Sequence, residues 1–335
     1  MKMSDTFKAL VLRQEGDKVR HAIEQLTVND LPEGDVLVAV EYSSLNYKDA
    51  MAVMGTGKIV REYPMVPGVD LAGTVLESKS PFYKSGDKVV LTGWSVGERY
   101  WGGYTQRARV KSNWLVPLPE GLDTRHAMAI GTAGLTAMLC VMMLEEAGLK
   151  PGSGTILVTG AAGGVGSVAV AILSYLGFRV AALTAPGQED SHDYLEDLGA
   201  MDFVSGTEWS VQPRPLETQR WAGAIDTVGG KVLARVLAEM NYGGCVANCG
   251  LAGSSDLPTT VMPFILRAVS LRGVDSVMCP THRRKTAWSR LVRDLPSESL
   301  KKITPGTISL GEVPKYAPEL LAGNVRGRLV VSVRA

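Results

Sequence analysis

The amino-acid sequence predicts an α/β fold with a doubly wound parallel sheet in one domain and a second, β-rich domain that the C-terminal segment completes. The chain has 335 residues, which is more than one ordinary domain. Its first third consists of short apolar or alternating segments separated by Gly and Pro, a pattern typical of a compact β domain. From Asp123 onward, apolar strands alternate with helix-length segments, as a parallel sheet with helical crossovers requires.

The β-rich part is predicted from its strands and turns. A turn at Pro32–Gly34 separates the first two predicted strands, and Gly and Pro punctuate the others. The predicted strands are 7–15, 35–42, 66–77, 87–92, 104–110 and a short one within 113–119. Short strands with tight turns favour a barrel-like domain.

The part after Asp123 begins with a helix predicted over 124–148, which is apolar nearly all round and therefore expected to be buried. An uninterrupted apolar strand over 155–159 indicates a parallel sheet that is covered on both faces. The further predicted strands are 179–184, 201–204, 223–228 and 244–249, and the predicted helices are 166–176, 191–198 and 231–240.

The C-terminal part is expected to return to the first domain. It contains one amphipathic helix, predicted over 286–295, and a strand-like segment over 327–333, which together are too short to fold alone. The predicted domains are therefore 1–125 together with 277–335, and 126–276.

Charge patterning excludes several classes of protein. Lys and Arg number 35 and Asp and Glu number 34, so the net charge of +1 gives no basic field for a nucleic acid. The stretches 127–144 and 151–178 carry no charged side chain and are long enough to span a membrane. Glycines within both stretches, and Glu145 and Glu146 directly after the first, argue against membrane spans.

The N-terminus and the cysteines favour the cytoplasm. Charges at Lys2, Asp5 and Lys8 interrupt any apolar run, so no signal peptide is expected. The four cysteines are too few and too scattered for a disulfide framework. We therefore expect a soluble protein of a reducing compartment.

No metal site is predicted. The histidines are isolated from one another, and Cys245 and Cys249 lie on a predicted strand with no His beside them. Small core residues explain such a pair better than zinc does. No Ser-His-Asp or Cys-His context indicates a nucleophile. The four histidines are His21, His126, His192 and His282.

A glycine-rich turn is the strongest local signal. The segment Val158-Thr-Gly-Ala-Ala-Gly-Gly-Val-Gly166 lies between a predicted strand and a predicted helix, which is the context of a dinucleotide site in a Rossmann domain. Glycines let the backbone approach the pyrophosphate, and the helix N-terminus offers unpaired N–H groups to it. The spacing is G-x-x-G-G-x-G rather than G-x-G-x-x-G, and a merely tight turn is the alternative.

The end of the second strand bears on the choice of dinucleotide. NAD enzymes usually place Asp or Glu there, whereas this strand ends Thr184-Ala185-Pro186 and the first acidic residue is Glu189. The missing carboxylate removes repulsion of a 2′-phosphate, and Thr184 is a candidate hydrogen-bond donor to it. No Arg or Lys follows nearby to pair with the phosphate charge. NADP is favoured over NAD.

The whole chain resembles the medium-chain dehydrogenase/reductase superfamily. The segments Ser43-Ser-Leu-Asn-Tyr-Lys-Asp49 and Tyr63-Pro-Met-Val-Pro-Gly-Val-Asp-Leu-Ala-Gly-Thr74 are similar to its zinc-free quinone-reductase branch. Where zinc alcohol dehydrogenases carry a His-Glu pair, this chain has Val69-Asp70. The resemblance implies a GroES-like catalytic domain and a Rossmann domain.

Four further segments resemble the acryloyl-CoA reductase subfamily, whose members reduce the acryloyl thioester of coenzyme A with NADPH. They are Ile130-Gly-Thr-Ala-Gly-Leu-Thr-Ala137, Trp221-Ala-Gly-Ala-Ile-Asp-Thr-Val-Gly229, Asn241-Tyr-Gly-Gly-Cys245 and Leu257-Pro-Thr-Thr-Val-Met-Pro-Phe-Ile-Leu-Arg267. The subfamily typically has Ser-Gly-Arg after the second strand, where this chain has Thr184-Ala185-Pro186. This departure weakens the expectation, implied by the resemblance, that residues 184–186 contact the 2′-phosphate of NADPH.

The resemblance also implies cofactor-binding residues. It places Tyr47 beside the nicotinamide and Thr132 behind it, and it gives the turn 162–166 to the pyrophosphate. The implied cofactor contacts are Tyr47, Thr132, Ala162, Gly163, Gly164, Val165, Gly166, Thr184, Ala185 and Pro186, together with Leu251, Ile265 and Ser276 on the far side of the nicotinamide and Asn324 at the mouth of the cleft.

The implied reaction is a conjugate reduction, in which negative charge develops on the thioester oxygen. Tyr47 and Asn46 are the expected donors to that oxygen, and Asp70 is expected to orient one of them. Solvent or Tyr47 is expected to protonate the α-carbon. Each assignment has an alternative: Asn46 as a helix N-cap, Tyr47 as a packing residue, and Asp70 as a structural acceptor.

Three functions remain open at this level. The first is reduction of acryloyl-CoA to propanoyl-CoA, the second a broader NADPH quinone or enone reductase, and the third a cofactor-binding protein that has lost catalysis. The basic run 283–285 fits either the phosphates of coenzyme A or a solvated helix start. The predicted strand 270–274 is a candidate edge for a homodimer, as the superfamily resemblance implies.

Overall fold

The chain divides into two compact units in the computed structural model, which describes residues 6–335 except 208, 210 and 212. The first unit comprises the chain up to Thr132 with Ser276–Val292 and Thr304–Ala335, and the second comprises Ala133–Asp275 and Arg293–Ile303. The sequence prediction placed 277–335 in one piece with the first domain and began the second at 126. The unit boundaries differ from it at both points.

The described residues form fifteen strands and nine α-helices. The strands are β1 (Thr6–Glu15), β2 (Lys18–Thr27), β3 (Val36–Leu45), β4 (Asp70–Ser78), β5 (Lys88–Thr92), β6 (Arg107–Val110), β7 (Leu115–Pro117), β8 (Thr155–Thr159), β9 (Arg179–Thr184), β10 (Asp202–Ser205), β11 (Trp221–Asp226), β12 (Met240–Asn248), β13 (Ser270–Gly273), β14 (Gly306–Ser309) and β15 (Leu329–Ser332). The helices are α1 (Tyr47–Met54), α2 (Thr124–Glu146), α3 (Gly164–Tyr175), α4 (His192–Asp197), α5 (Gly230–Glu239), α6 (Met262–Arg267), α7 (Thr281–Asp294), α8 (Ser297–Ile303) and α9 (Val313–Leu321).

The first unit is built on a seven-stranded sheet of order β14-β15-β3-β4-β5-β7, with β6 also paired to β3. β15 runs antiparallel to β3, with Leu329 opposite Leu45, so the C-terminal segment completes this sheet as predicted. β1 and β2 form a separate hairpin. The sequence prediction missed β2 because its side chains are mostly exposed and polar, so it has no apolar alternation to recognise.

β4 begins later than predicted. The apolar run starts at Val66, but the strand starts at Asp70. Gly68 has a φ of +101°, a conformation that only glycine adopts readily, and a Cβ there would lie 2.7 Å from the ring of Tyr104. The turn at Pro67 and Gly68 therefore delays the strand and places Asp70 at its first position.

The second unit contains a six-stranded parallel sheet of order β10-β9-β8-β11-β12-β13. Counted along the chain, this is the order 3-2-1-4-5-6 of a doubly wound Rossmann sheet, which confirms the predicted fold class. The strand order reverses between β8 and β11. Ligands of such sheets bind at the carboxyl ends of the strands at this reversal.

Arg293–Ile303 belongs to the second unit because α8 packs there. Leu300 and Ile303 are buried, and the ammonium of Lys302 lies 2.7 Å from a carboxylate oxygen of Asp197. The amphipathic pattern of this segment gave no sign of which domain it would join, since either core can cover an apolar face.

α2 is the one described helix that is long and apolar enough to cross a membrane. In its most apolar 18-residue window, 89% of the residues are buried inside the protein. A core helix passes the same test of length and composition, and its burial is the arrangement that the sequence predicts. The helix is interrupted at Gly131, which has φ +53° and ψ −159°.

Candidate active site

The first turn of α1 presents Tyr47 to solvent. Asn46 is the N-cap, and its backbone N–H donates to Oδ2 of Asp49 (3.0 Å) in a capping box. The Tyr47 side chain is 44% exposed. More than half of its surface is nevertheless covered, so the alternative of a packing residue stays open beside the predicted cofactor contact.

Asp70 is a fully buried acceptor at the start of β4. Its Oδ2 accepts hydrogen bonds from Ser44 Oγ (2.5 Å), Asn46 Nδ2 (2.9 Å) and the backbone N–H of Thr132 (2.9 Å), and its Oδ1 accepts one from Thr132 Oγ1 (2.5 Å). Four hydrogen bonds from three residues therefore satisfy this buried carboxyl group. The structure thus brings together three of the predicted site residues, Asn46, Asp70 and Thr132.

Asn46 is held from both ends of its amide. Nδ2 lies within hydrogen-bond distance of acceptor oxygens of Ser44 (3.1 Å), Asp49 (3.1 Å) and Asp70 (2.9 Å). Oδ1 accepts from Nη1 of Arg328 (3.0 Å). An amide nitrogen has two hydrogens, and both are directed at these oxygens. Asn46 is therefore the N-cap that the sequence left open as an alternative, and its predicted role as a donor to the substrate stays a prediction.

Asp49 lies behind this cap and is fully buried. Its Oδ1 accepts from the backbone N–H of Val69 (2.9 Å). Burial, together with the nearby charge of Asp70, raises the pKa of Asp49 to about 7, against the opposing hydrogen bonds from Asn46 and Val69. Burial also raises the pKa of the neighbouring Tyr104 hydroxyl, which donates to the carbonyl of Ser44 (3.1 Å).

Arg328, from the segment before β15, supplies the positive charge of the cluster. Its guanidinium is buried and donates to the carbonyls of Leu45 (3.3 Å) and Ala129 (3.2 Å) as well as to Asn46. Burial lowers the pKa of Arg328, and the carboxylates of Asp70 and Asp49 oppose that shift. The sequence analysis missed Arg328, since a residue so far along the chain gives no local sign of contact with Asn46.

Gly131 makes room for the cluster. A Cβ at this position would lie 2.6 Å from Oδ2 of Asp70, 2.7 Å from Nη2 of Arg328 and 2.9 Å from Oγ of Ser44. Its positive φ is also one that other residues rarely adopt. The kink of α2 and the packing of Asp70 therefore depend on the same glycine.

In the second unit, the predicted glycine-rich turn joins β8 to α3. Gly160 has φ +58°, and a Cβ at Gly166 would lie 2.3 Å from the carbonyl oxygen of Gly160. The absence of both side chains lets the N-terminus of α3 close on the strand, with Gly163 as its N-cap. The first N–H groups of α3 have no partners within the helix, so the turn 162–166 is a cradle that suits a pyrophosphate.

Asp226 ties together the two strands at which the sheet order reverses. Its Oδ1 accepts from Thr159 Oγ1 (2.7 Å) at the end of β8, and its Oδ2 accepts from the N–H of Gly229 (2.9 Å) and from Nδ2 of Asn248 (2.8 Å). Burial raises the pKa of Asp226, and these hydrogen bonds oppose the shift. This aspartate lies in the segment 221–229 that resembles the subfamily, but the sequence alone indicates no role for it.

The end of β9 carries no acidic side chain, as the sequence shows. Ala185 and Pro186 are exposed, whereas Thr184 is buried and pairs with Ser205 of β10. The Thr184 side chain therefore points away from solvent, and its predicted contact with a 2′-phosphate gains no support from its position. The exposed residues Ala185 and Pro186 supply no cation for the phosphate.

The remaining predicted cofactor contacts are scattered. Leu251 lines a cavity of about 560 Å³ in the second unit, together with Asn248, Cys249 and Asp275. Ile265 is an exposed residue of α6. In the first unit, the carbonyl of Ser276 accepts from Arg284 (3.1 Å), and the Asn324 amide donates to Glu319 (2.8 Å) at the end of α9.

Arg284 is buried rather than solvated, contrary to one of the two interpretations that the sequence left open for the basic run 283–285. It is fully buried, and its guanidinium donates to the carbonyl of Thr92 (2.8 Å) and to those of Val277 (3.2 Å) and Cys279 (3.3 Å). It also lies over the ring of Trp94, with 5.0 Å between Cζ and the ring centroid. Arg284 therefore holds the loop after β5 and is not a phosphate ligand.

The described side chains do not form a metal site. Within residues 6–335, leaving out 208, 210 and 212, no three His, Cys, Asp or Glu side chains are grouped to hold a metal ion. Zinc-free catalysis stays a prediction from the sequence.

Two family models match this chain. The alcohol dehydrogenase GroES-like domain matches residues 32–120, and the zinc-binding dehydrogenase domain matches residues 164–293. Acrylyl-CoA reductase AcuI of Ruegeria pomeroyi is 56% identical over 333 residues, which are 98% of this chain and 100% of that protein.

Solved structures show the same likeness. YhdH of Escherichia coli K-12 with bound NADPH is 57% identical, with a TM-score of 0.95 over 97% of this chain and 99% of that one. YhfP of Bacillus subtilis with NAD bound is 43% identical, with a TM-score of 0.93 over 98% of this chain and 100% of that one. These likenesses span both units.

Proposed function

Because this chain belongs to the acryloyl-CoA reductase subfamily of the medium-chain dehydrogenases/reductases, within their quinone-reductase branch, we propose that it reduces the carbon–carbon double bond of acryloyl-CoA to give propanoyl-CoA, with NADPH as the reductant. The identity of 56% with the Ruegeria pomeroyi acrylyl-CoA reductase over nearly the full length of both chains is the observation that carries this proposal. The protein is an oxidoreductase acting on a CH–CH group.

The second unit, which corresponds to the predicted domain 126–276, is the Rossmann domain that holds the cofactor. The turn 162–166 and the N-terminus of α3 bind the pyrophosphate through backbone N–H groups. When bound, the reduced nicotinamide supplies the hydride that goes to the β-carbon. Leu251, in the cavity wall, and Ile265 are proposed to face the nicotinamide, and Ser276 and Asn324 of the first unit stay proposed contacts.

The first unit, which corresponds to the predicted GroES-like domain, supplies the polar groups of the reaction. As the β-carbon is reduced, negative charge develops on the thioester oxygen, and the Tyr47 hydroxyl is the exposed donor that stabilises it. Asn46 fixes the start of α1, and Asp70 and Arg328 fix Asn46. Thr132, bound to Asp70 through both its N–H and its hydroxyl, backs the nicotinamide ring.

A spectrophotometric assay tests the proposal. NADPH and NADH oxidation is followed in parallel with acryloyl-CoA, crotonyl-CoA and a simple quinone. Acryloyl-CoA with NADPH is expected to give the highest kcat/KM. A higher kcat/KM with the quinone would make the protein a quinone or enone reductase, and NADPH binding without turnover of any alkene would make it a cofactor-binding protein without catalysis.

We also propose a cytoplasmic homodimer that works without zinc. The cysteines of the described chain are all free, which suits a reducing compartment. β13 is an edge strand of the second unit's sheet, and an edge with unpaired backbone groups is a ready partner for its two-fold copy.

A further inference from the structure

Conjugate reduction requires a proton donor as well as a hydride donor, because the enolate that forms must gain a proton at its α-carbon. The polar groups behind α1 are not available for this step. Asp49, Asp70 and Tyr104 are fully buried, and both amide hydrogens of Asn46 are directed at acceptors. Proton donors on the outer side of this turn are Tyr47 and the residue after it.

Lys48 follows Tyr47 in the first turn of α1. Its ammonium nitrogen lies 2.7 Å from Oε1 of Glu98, and the side chains are 36% and 16% exposed. The pair is thus partly withdrawn from water but remains accessible, unlike the ion pair of Arg13 and Glu24 on the β1–β2 hairpin, where the arginine is 53% exposed. An ion pair that is partly withdrawn from water is less screened and holds its geometry better.

The loop that carries Glu98 is built tightly and under backbone strain. Trp94 and Ser95 both have a left-handed φ, of +57° and +58°, and neither is glycine. The carbonyl of Ser95 then accepts from the N–H groups of Glu98, Arg99 and Tyr100. Strained residues of this kind persist where the surroundings hold them, and they gather at functional sites.

Further contacts fix the position of Glu98. Its carbonyl accepts from the N–H of Arg61 (2.9 Å), and a Cβ at Gly97 would lie 3.1 Å from the N of Gly68. Arg284 also holds the carbonyl of Thr92, at the start of the loop. Several contacts thus hold the loop that places the Glu98 carboxylate against the ammonium of Lys48.

We propose that Lys48 is a catalytic residue, the donor of the proton to the α-carbon, and that Glu98 is a positioning residue that aims its ammonium. This inference rests on the proposed reduction of acryloyl-CoA. Lysine ammonium groups are protonated at neutral pH, and a positioned side-chain acid is a common proton source in enzymes.

The hydride forms the C–H bond at the β-carbon, and the π electrons of the double bond move to give the enolate. The enolate then forms an α-carbon–H bond with a proton from Lys48 Nζ, whose N–H bond breaks, and the thioester carbonyl is restored. The neutral amine regains a proton from water. Tyr47 keeps its hydrogen bond to the oxygen throughout.

The test follows the face on which the α-carbon is protonated. Reduction of acryloyl-CoA in D₂O places one deuterium at the α-carbon, which then has two possible configurations. The wild-type enzyme is expected to give one enantiomer of [2-²H]propanoyl-CoA. In Lys48→Met, kcat is expected to fall by roughly 100-fold, the low end for loss of a general acid, and the product is expected to become racemic because water protonates it.

Two further variants separate proton donation from charge. Lys48→Arg keeps the positive charge but has a side chain that does not give up its proton, so it is expected to behave like Lys48→Met. Glu98→Gln keeps the shape but loses the anion that aims the ammonium of Lys48, and partial loss of stereoselectivity is expected. Glu24→Gln, which breaks the hairpin pair of Arg13, is the matched control and leaves both readouts unchanged.

Several outcomes would overturn the proposal. Retention of a single enantiomer in Lys48→Met shows that another group delivers the proton. Full activity of Lys48→Arg, with a raised KM in Lys48→Met only for the coenzyme A thioester and not for the N-acetylcysteamine thioester, shows that Lys48 binds a phosphate instead. The failure of the proposed function looks different, because the wild-type enzyme itself would then not reduce acryloyl-CoA.

Discussion

At the scale of single residues, the first turn of α1 separates a cluster of buried polar groups from the partly exposed Tyr47. The side chains of Asp70, Asp49 and Arg328 are buried, and each forms a hydrogen bond with Asn46. The Tyr47 side chain, in contrast, is exposed. Buried and fully bonded polar groups give a site its rigidity. The sequence predicted the residues Asn46, Tyr47 and Asp70 and an orienting role for Asp70, and the structure adds the hydrogen bond between Asn46 and Asp70.

Removal of the Tyr47 hydroxyl tests the proposed oxyanion donor. Tyr47→Phe is expected to lower kcat for acryloyl-CoA by roughly 100-fold, since loss of one donor to a developing oxyanion has about that effect. The Kd for NADPH, measured by fluorescence, is expected to change little. Unchanged turnover would remove Tyr47 from the mechanism.

The protonation of Asp49 predicts a pH dependence of stability. The pKa of Asp49 is about 7 in the folded state, above its usual value near 4. Between about pH 4 and pH 7, Asp49 is therefore protonated in the folded state and ionised in the unfolded state. The contribution of this proton is present at low pH and is lost as the pH rises through about 7. Asp49→Asn cannot titrate, and its unfolding free energy is expected to lack this loss.

Urea unfolding at pH 5 and at pH 8 measures the difference. Relative to Asp49→Asn, the wild-type protein is expected to lose stability between pH 5 and pH 8 by about 3 kcal/mol, because about two pH units separate pH 5 from the folded pKa of about 7. Comparison of the slopes cancels the constant cost of replacing one hydrogen-bond acceptor. Parallel pH profiles of the two proteins would contradict the raised pKa.

The missing cation after β9 predicts a variant with stronger NADPH preference. Ala185 is exposed and no acidic side chain ends the strand. Ala185→Arg is expected to improve the ratio of kcat/KM for NADPH to that for NADH by roughly tenfold or more, because a charge-assisted hydrogen bond to a phosphate is worth about 1.5–3 kcal/mol. Ala185→Glu is expected to shift the ratio toward NADH, and identical ratios in both variants would show that the 2′-phosphate lies elsewhere.

At the scale of elements, α2 shows how one helix serves both packing and the polar cluster. Its apolar surface is buried in the core, and its kink at Gly131 opens the space that Asp70, Ser44 and Arg328 occupy. The N–H of Thr132, freed by the kink, donates to Asp70. The helical pattern predicted the element, but a kink at one glycine among several has no signature of its own in the sequence.

Replacement of that glycine tests the link. Gly131→Ala is expected to lower the unfolding free energy by roughly 2 kcal/mol or more, because it adds both backbone strain and a clash with the cluster. Gly148→Ala is the control, since Gly148 also has a positive φ, of +91°, but a Cβ there would meet nothing within 4 Å. Gly148→Ala carries only the strain, about 1 kcal/mol. Equal losses in the two variants would show that the cluster tolerates the methyl group.

The elements that the sequence predicted are those with strong apolar patterns. β8 and α3 bracket the glycine turn and were predicted within two residues, because a buried strand and a buried helix have distinctive apolar runs. β2 has exposed polar side chains, and α8 carries no mark of the unit that it joins. Arg284 and Arg328 are cations whose burial depends on carbonyl groups far away in the chain.

At the scale of the whole molecule, the nearly neutral net charge of the chain is compatible with a phosphate-rich ligand, because backbone N–H groups can bind phosphate without basic side chains. The two uncharged stretches are a core helix and the first strand, turn and helix of a Rossmann sheet, and the proposed pyrophosphate site at that turn needs only backbone N–H groups. The C-terminal segment supplies β14 and β15 to the first sheet, and Arg328 to the polar cluster of the same unit. A truncation before Gly306 is thus expected to remove two strands of that sheet and one charge of the site together.

The assembly state is the last prediction, and it concerns the free edge of the second sheet. β13 pairs with β12 on one side only, and its residues from Ser270 to Gly273 are partly or fully exposed. An exposed edge of this kind either is protected or pairs with a copy of itself. Sedimentation equilibrium at micromolar concentration is expected to give twice the chain mass of 35.8 kDa. Amide exchange along β13 is expected to slow as the protein concentration rises, because a paired edge is protected from solvent. A clean monomer, with fast exchange along β13 at every concentration, would exclude pairing across this edge.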